Sequence, residues 1–371
     1  MLTNKIGQQL IYDAVSQVNG EPTWTQMQWV GELPNFVAMV RIAGLCRSDL
    51  KEAFGQREVR TDFGHEIVLE VVAEEAGAGL SIGQRVIFDP HVALRRSTGF
   101  APSFYAHGDA ATLKRAFLSV PQGMPDSVAI FAEPLACAVH SGQKALAHYS
   151  TTTGGRPPRN VALTSAGFAS VLQACVFRQS GLDCDIHNRT PARPAYIRAR
   201  TQLDLHGINF PLEVPEDSYD IVVVSDAFSD EASIKRALYM VRPGGLILLF
   251  GGTKVGETSP LLGVRKDALR RSEGLLQVCV EGKAISVGGT HGALRPDFDR
   301  ALSLLDAPGL RPLFASLVDR TVSVTDLPGL MHRLHSGQEH NFLKTLVETK
   351  SIENSGLAAA ALPGGNKDLY R

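Results

Sequence analysis

No CxxC pair occurs among the cysteines of this 371-residue chain (Cys46, Cys137, Cys175, Cys184 and Cys279), and their number, 5, is odd. Thiols scattered in this way do not suit a disulfide framework; the expectation is a reducing compartment with several of them plain core residues. An excess of charge is missing too. Lys and Arg number 37 against 38 Asp and Glu, a formal net charge of -1. Such a chain has no basic field with which to gather a phosphate backbone, so a nucleic-acid partner is not expected. No run reaches the roughly 18 apolar residues of a membrane span, and the opening MLTNKIGQQLIYDAV has no continuous apolar core of the signal-peptide kind. These absences point to a cytoplasmic protein without a membrane partner. Internal repeats are lacking as well, and low complexity is confined to the alanines 358–361.

What is present is the composition of a globular α/β protein: 44% hydrophobic and 20% charged, with 35 Gly and 20 Pro. The length exceeds one ordinary core and suits two domains. Residues 30–90 carry short strand-like runs (FVAMVRIAG, HEIVLEVVAEEAG, IGQRVIFDP) separated by turn residues. The pattern changes after the Gly/Pro-rich TTTGGRPPRN, 151–160, which has the composition of an interdomain hinge. Beyond it, apolar strands (NVAL, DCDIH, DIVVVS, GLILLFG, AISVG) alternate with helical stretches such as EASIKRALYMV. That alternation predicts a mainly parallel, doubly wound sheet covered on both faces. The expected division is a β-rich first part over 1–155, a parallel-sheet domain over 156–295, a return to the first domain over 296–350, and a C-terminal arm, 351–371.

The chemistry-bearing stretch is GLCRSDLK, Gly44 to Lys51, followed by FGHEIV, Phe63 to Val68. Cys46, His65 and a carboxylate form a thiolate, imidazole and oxygen set suited to Zn²⁺, and three protein donors leave the fourth position open, as in a catalytic site. Asp49 can accept the second ring N–H of His65 and fix its tautomer. Ser48 can carry the proton that leaves a bound alcohol. Singly these residues are weak signals, since a cysteine after a strand is commonly a small buried hydrophobe; jointly they are strong. His91, His107 and His140 are candidate extra ligands, although loop and helix histidines are more often ordinary hydrogen-bonding residues; Cys137 reads as core, and the pair Phe104–Tyr105 as pocket wall or packing.

The runs GLCRSDLK, GHEIVLEVV, GQRVIF and AEPLACAVH, with the later RPGGLILLFGG, resemble the zinc-dependent medium-chain dehydrogenase/reductase family, in its branch of polyol and threonine dehydrogenases. The resemblance covers the chain to about residue 350. It implies a β-rich GroES-like catalytic domain with a Rossmann-type cofactor domain, a homodimer or homotetramer, and zinc surrounded by Cys46, His65 and Glu66 or Glu133. The family often carries a lobe of four closely spaced cysteines for a structural zinc; HVALRRSTGFAPSFYAHGD has none, so one catalytic zinc and no structural zinc are expected. Arg47 stands where the family has Gly and suits either a cofactor pyrophosphate or solvent. Lys51 replaces a customary histidine of the proton path.

A dinucleotide fingerprint needs glycines for a tight strand-to-helix turn. In TSAGFAS only Gly167 remains, with Ser165 and Ser170 at the outer positions, so Ser165, Gly167, Phe168 and Ala169 are the candidate cofactor contacts. Ser225 and Gly251, at the ends of later strands, join them. The second strand ends in HNRTPAR, placing Asn188 where an NAD enzyme commonly has an acid, with Arg189 and Arg193 following. Arginines without a carboxylate favour a 2′-phosphate, hence NADP(H) over NAD(H). The interval from Asn188 to Asp220 is short enough that a crossover helix is expected to be trimmed or missing. The expected activity is zinc-dependent hydride transfer between NAD(P)(H) and the secondary alcohol or ketone of a polyol, sugar or cyclitol. A zinc-free quinone or enoyl reductase and a non-catalytic binding protein of the same fold are the rivals.

Overall fold

The computed structural model describes residues 10–56, 63–201, 203–339 and 342–349; the expected C-terminal arm lies outside them. The described residues divide into two compact units, the first drawn from 1–120, 320–340 and 345–371, the second from 121–319 and 341–344.

The first unit opens on a hairpin of β1 (Ile11–Val18) and β2 (Glu21–Gln28), with Val18 opposite Glu21. Its turn is Asn19–Gly20, with φ of 54° and 86°. Positive φ at both residues makes the primed turn whose twist matches the flanking strands, and Asn–Gly adopts it at least cost. Then come β3 (Phe36–Leu45), α1 (Arg47–Ala53), β4 (Glu66–Glu74), β5 (Arg85–Phe88), β6 (Arg95–Arg96), β7 (Ser103–His107), α2 (Ala110–Ala116) and β8 (Phe117–Ser119). β3, β4, β5 and β8 pair antiparallel in that order, and the β6–β7 hairpin adds to β3 through β7. One face is glued by aromatics. The rings of Phe36 and Phe117 stack at 4.1 Å, and Phe88 and Phe104 complete the cluster. The neighbouring Tyr105 turns to the other face and meets Tyr12, as strand alternation requires. Phe104 and Tyr105 are therefore packing residues.

The second unit begins with α3 (Asp126–Ala129) and α4 (Ala132–Thr153), then β9 (Asn160–Leu163), α5 (Phe168–Gln179), β10 (Asp183–Ile186), α6 (Ala192–Arg200), β11 (Ile208–Asn209), β12 (Tyr219–Val224), α7 (Glu231–Met240) and β13 (Val241–Leu249). It continues through β14 (Thr258–Ser259), β15 (Val264–Arg265), α8 (Lys266–Arg271), β16 (Leu275–Val280), β17 (Lys283–Gly289), α9 (Arg295–Asp306) and α10 (Arg311–Ser316). The sheet order is β11-β10-β9-β12-β13-β17-β16, parallel except for β16. This is the doubly wound arrangement, with its order reversing between β9 and β12. Ile221 to Val224 in the central β12 are all fully buried, each worth about 1.5–3 kcal/mol of burial. The chain then supplies β18 (Val318–Ser323), α11 (Leu327–His335) and β19 (Lys344–Glu348), which extend the first unit's sheet in the order β18-β19-β3.

Two boundaries differ from those read in the sequence. The first unit closes after Val120, not near 155, because α4 packs against α5, α9 and β13 and so belongs to the second unit. The glycines of TTTGGRPPRN are a helix stop: Gly154 caps α4 at φ 65° and Gly155 follows at φ 89°. Likewise α9 stays with α4, and the return to the first unit starts at Arg320, not at 296. The shortened crossover is present as expected: the segment 210–218, between β11 and β12, contains no helix. Part of the sheet face there is occupied by the Tyr219 side chain, whose hydroxyl donates to Asp185 Oδ2 at 2.7 Å and lies 2.9 Å from His187 Nε2.

Candidate active site

Register brings the first site together. β3 pairs with β4 so that Gly44 stands opposite Glu66, which places Cys46, two residues further along, beside His65, one residue back. Their donor atoms, Cys46 Sγ, a ring nitrogen of His65 and a carboxylate oxygen of Glu66, all lie within 4.8 Å of one another. A single Zn²⁺ with bonds of about 2.0–2.3 Å needs donors roughly 3.5 Å apart, a spacing that side-chain rotation closes from here. Thiolate, imidazole and carboxylate are a zinc donor set, so the residues fit the ion.

Asp49 ties the group. Sitting in the first turn of α1 and fully buried, it accepts from Cys46 N–H at 2.9 Å and Gly64 N–H at 3.0 Å, while its Oδ1 lies 3.3 Å from His65 Nδ1. Burial alone would raise its pKa. Attraction to His65, the hydrogen bond with it and the two backbone donors outweigh burial and hold the carboxyl below its ordinary value. An ionised Asp49 fixes the proton of His65 on Nδ1 and leaves Nε2 as the electron-pair donor. Ser48 Oγ is 3.5 Å from that Nε2. Lys51 is half-buried in the same short helix and Arg47 is exposed at its first position.

The other expected ligand, Glu133, is in the second unit, in the first turn of α4, 8% exposed and accepting from Cys137 Sγ at 3.5 Å. None of the three remaining histidines belongs to the Cys46 group. His91 is exposed, its N–H held by Asp89. His107 bridges Glu32 and the Leu33 carbonyl. His140 is buried between Glu273 and Asp297, at 2.5 and 2.8 Å.

In the second unit the strand-to-helix turn follows β9, with Gly167 preceding α5. A Cβ at Gly167 would meet Ser165 Oγ first, at 3.7 Å, so space for close approach is present at the helix N-terminus, where anions are favoured. The flanking serines are cross-links. Ser165 Oγ donates to the Ser225 carbonyl and Ser170 Oγ to Ser225 Oγ, both at 2.9 Å. Ser170 is fully buried, so its hydroxyl fastens α5 to β12. Gly251 is required for packing, since a Cβ there would lie 2.4 Å from the Asp226 carbonyl.

The Ala166 peptide is held from both sides. Its N–H donates to Asn188 Oδ1 at 3.1 Å and its carbonyl accepts from Arg193 Nε at 2.9 Å. Arg193 also donates to the Phe342 carbonyl, and Asn188 Nδ2 to Thr190 O. Arg189, by contrast, is exposed. Sequence reasoning placed Asn188, Arg189 and Arg193 together as one group; the structure gives Asn188 and Arg193 to the turn and leaves Arg189 in the open. It also adds a group the sequence did not suggest: Asp226 accepts from Thr164 Oγ1 at 2.5 Å and from Arg236. A small polar residue at each strand's carboxyl end, Thr164 and Asp226, was the available signal.

No protein-family model matches this chain, and no curated protein sequence matches it. Solved structures do. A protein described as a zinc-binding dehydrogenase, from Sinorhizobium meliloti 1021 and bound to NADP, aligns with a TM-score of 0.66 at 18% identity, over 92% of this chain and 100% of its own. The alcohol dehydrogenase TADH from Thermus sp. ATN1 gives 0.67 at 20% identity over 91% and 99%. L-idonate 5-dehydrogenase from Escherichia coli K-12 gives 0.65 at 16% over 92% and 99%. At such identities the likeness establishes the fold, which this chain shares with these three dehydrogenases.

Proposed function

We propose that this protein is a zinc-dependent oxidoreductase that interconverts a secondary alcohol and its ketone with NADP(H), on a small substrate of the polyol, sugar or cyclitol class. The observation that carries the reading is the convergence of Cys46, His65 and Glu66 with the buried Asp49 behind the imidazole. The NADP in one similar structure and the L-idonate and galactitol-1-phosphate dehydrogenases among the others support the cofactor and the substrate class.

Held by these residues, a zinc ion would supply Lewis acidity toward a substrate oxygen, and a bound nicotinamide would supply the hydride chemistry. The protein's own residues do the rest. Cys46, His65 and Glu66 would hold the ion, and Asp49 keeps the His65 proton on Nδ1. Ser48, whose Oγ lies 3.5 Å from Nε2, would relay the alcohol proton in oxidation, accepting it as its own hydroxyl proton passes to solvent, and would run the same exchange backwards in reduction. The Gly167 turn and the N-terminus of α5 would receive a pyrophosphate and Arg189 a 2′-phosphate, and Arg47 and Lys51 would serve as cations for the cofactor's phosphates or ribose. Phe168, Ala169 and Ser225 shape the same turn.

Elemental analysis tests the metal: one zinc per chain is expected, and Cys46→Ser is expected to lose metal and activity together, because a hydroxyl is a poor substitute for thiolate. A fully active metal-free preparation overturns the mechanism in favour of a zinc-free reductase. Metal content of Glu66→Gln and Glu133→Gln, measured in parallel, shows which carboxylate the ion uses. A screen of polyols, sugars and cyclitols with both cofactors tests the substrate class, and sedimentation tests the expected homodimer or homotetramer.

A further inference from the structure

Phe63 and Gly64, the described residues immediately before His65, belong to no helix or strand. β4 starts only at Glu66, and Gly64 has a φ of +81°, a conformation open to glycine above all. Zinc ligands tolerate small displacements only, so something else has to fix the Phe63–Gly64 link.

The fixing groups come from the segment 96–100, within the cysteine-free stretch HVALRRSTGFAPSFYAHGD. Thr98 Oγ1 donates to the Phe63 carbonyl at 2.8 Å, and Gly99 N–H donates to the same carbonyl at 3.2 Å. Arg96 donates through one NH to the Gly64 carbonyl at 3.3 Å and to the Ser97 carbonyl at 2.9 Å, with its guanidinium 5.0 Å from the Phe88 ring centre. Gly64 N–H, on the other side of the link, is held by Asp49. Each carbonyl of the Phe63–Gly64 link thus has a donor from this segment.

The segment is itself anchored. Thr98 is 1% exposed; its hydroxyl accepts from Phe100 N–H at 3.1 Å, and the Phe100 carbonyl accepts from Val15 of the opening hairpin at 2.9 Å. The two layers touch without slack. A Cβ on Gly99 would lie 2.3 Å from the Gly64 carbonyl oxygen, and a Cβ on Gly64 would lie 3.0 Å from the Phe100 ring.

We infer that Arg96 and Thr98 are positioning residues for the metal site: they hold the main chain that carries His65 and Glu66, so that the imidazole and carboxylate stand ready beside Cys46. The inference rests on the zinc reading above, to which it adds two residues outside the Cys46, His65 and Glu66 donor group.

The test uses the full-length protein with Co²⁺ as the probe metal. Thr98→Val removes the hydroxyl at nearly constant volume, Thr98→Ser restores it, and Arg96→Met removes the guanidinium while keeping a long apolar stem. The readouts are Co²⁺ stoichiometry, the d–d absorption spectrum, and the rate of Co²⁺ loss to a chelator, with the melting curve of the metal-free protein as a control for folding. Thr98→Val and Arg96→Met are expected to lose Co²⁺ about tenfold faster than wild type, with a weakened or shifted d–d band, as for loss of supporting contacts around metal ligands. Thr98→Ser is expected to match wild type. Wild-type spectra and loss rates in both Thr98→Val and Arg96→Met overturn the inference, as does a serine variant no better than valine. A wild type that takes up no Co²⁺ overturns the zinc reading and the clamp together, a pattern distinct from clamp failure alone. If Thr98→Val does not melt cooperatively, Arg96→Met decides.

Discussion

Replacing Asp49 by Asn should damage the metal site far more than the change of one atom suggests. The carboxylate is fully buried and meets three groups: the N–H of Cys46 and of Gly64, and Nδ1 of His65. An amide offers one acceptor oxygen in place of two. With that oxygen kept on the side of Gly64 and His65, the new NH₂ faces the Cys46 N–H, donor against donor. One buried donor left unsatisfied costs about 1–3 kcal/mol, and loss of charge assistance on the other bonds adds to this. A total of about 2–4 kcal/mol is therefore expected in unfolding free energy. Loss of the outer partner of a ligating histidine lowers metal affinity typically 10–100-fold, about 1.4–2.8 kcal/mol. Denaturant unfolding of the metal-free protein measures the first quantity, and competition for Zn²⁺ against a chromophoric chelator measures the second. Wild-type stability in Asp49→Asn would show that the three contacts are not those of an ionised carboxylate. Wild-type zinc affinity in a destabilised variant would show that the His65 tautomer does not depend on this residue.

Four further outcomes follow from the geometry. Ser48→Ala is expected to retain zinc but lose turnover by about 10² to 10⁴, as for removal of a proton carrier; metal analysis with kcat against pH checks it, and unchanged turnover removes Ser48 from the path. Arg189→Ala should shift kcat/KM toward NAD(H) by about tenfold or more, since a charge-assisted bond is worth about 1.5–3 kcal/mol. Arg193→Ala, which frees the Ala166 and Phe342 carbonyls, should weaken both cofactors alike. Last, burial acts to raise the pKa of Glu273, but its bonds with Lys144, His140 and the His291 N–H leave it below the ordinary value of 4.5. A depressed carboxylate gives stability that is fully present above the unfolded pKa and lost as pH falls through the folded one. Glu273→Gln should thus lower stability at neutral pH and flatten the acid limb below about 4.5, a difference readable in melting temperature against pH.

The alternation of strand and helix after residue 160 was legible because both periods are strong there: DIVVVS and EASIKRALYMV became β12 and α7 almost residue for residue. The metal group was legible because its residues flank paired strands and their types are chemically restrictive. The domain boundary was not. A glycine pair can stop a helix or loosen a hinge, and only the packing of α4 on its neighbours shows which. The opening hairpin carried the Asn19–Gly20 signal in plain view, yet its strands mix polar and apolar residues too evenly to be conspicuous. The roles of Arg189 and Arg193 could not be separated from sequence. Four residues apart, they differ only in that α6 begins between them and turns the second toward the Ala166 carbonyl. Thr98 gave no signal, since nothing local indicates that its hydroxyl serves a residue far back in the chain.

The placing of β19 beside β3 sets a clock for biosynthesis. Thr345 pairs with Leu45, Leu346 with Gly44 and Val347 with Ala43, so the end of the strand that leads into Cys46 is completed by residues made about 300 positions later (345 against 45). At about 5–20 residues per second, that part of β3 has an open edge for roughly 15–60 s. The second unit, nearly contiguous from 121 to 319, can fold on the ribosome in that interval. The first unit has to wait with an incomplete sheet, so the nascent chain, rather than the finished protein, is where exposure to aggregation is greatest and where chaperone help is expected to be concentrated.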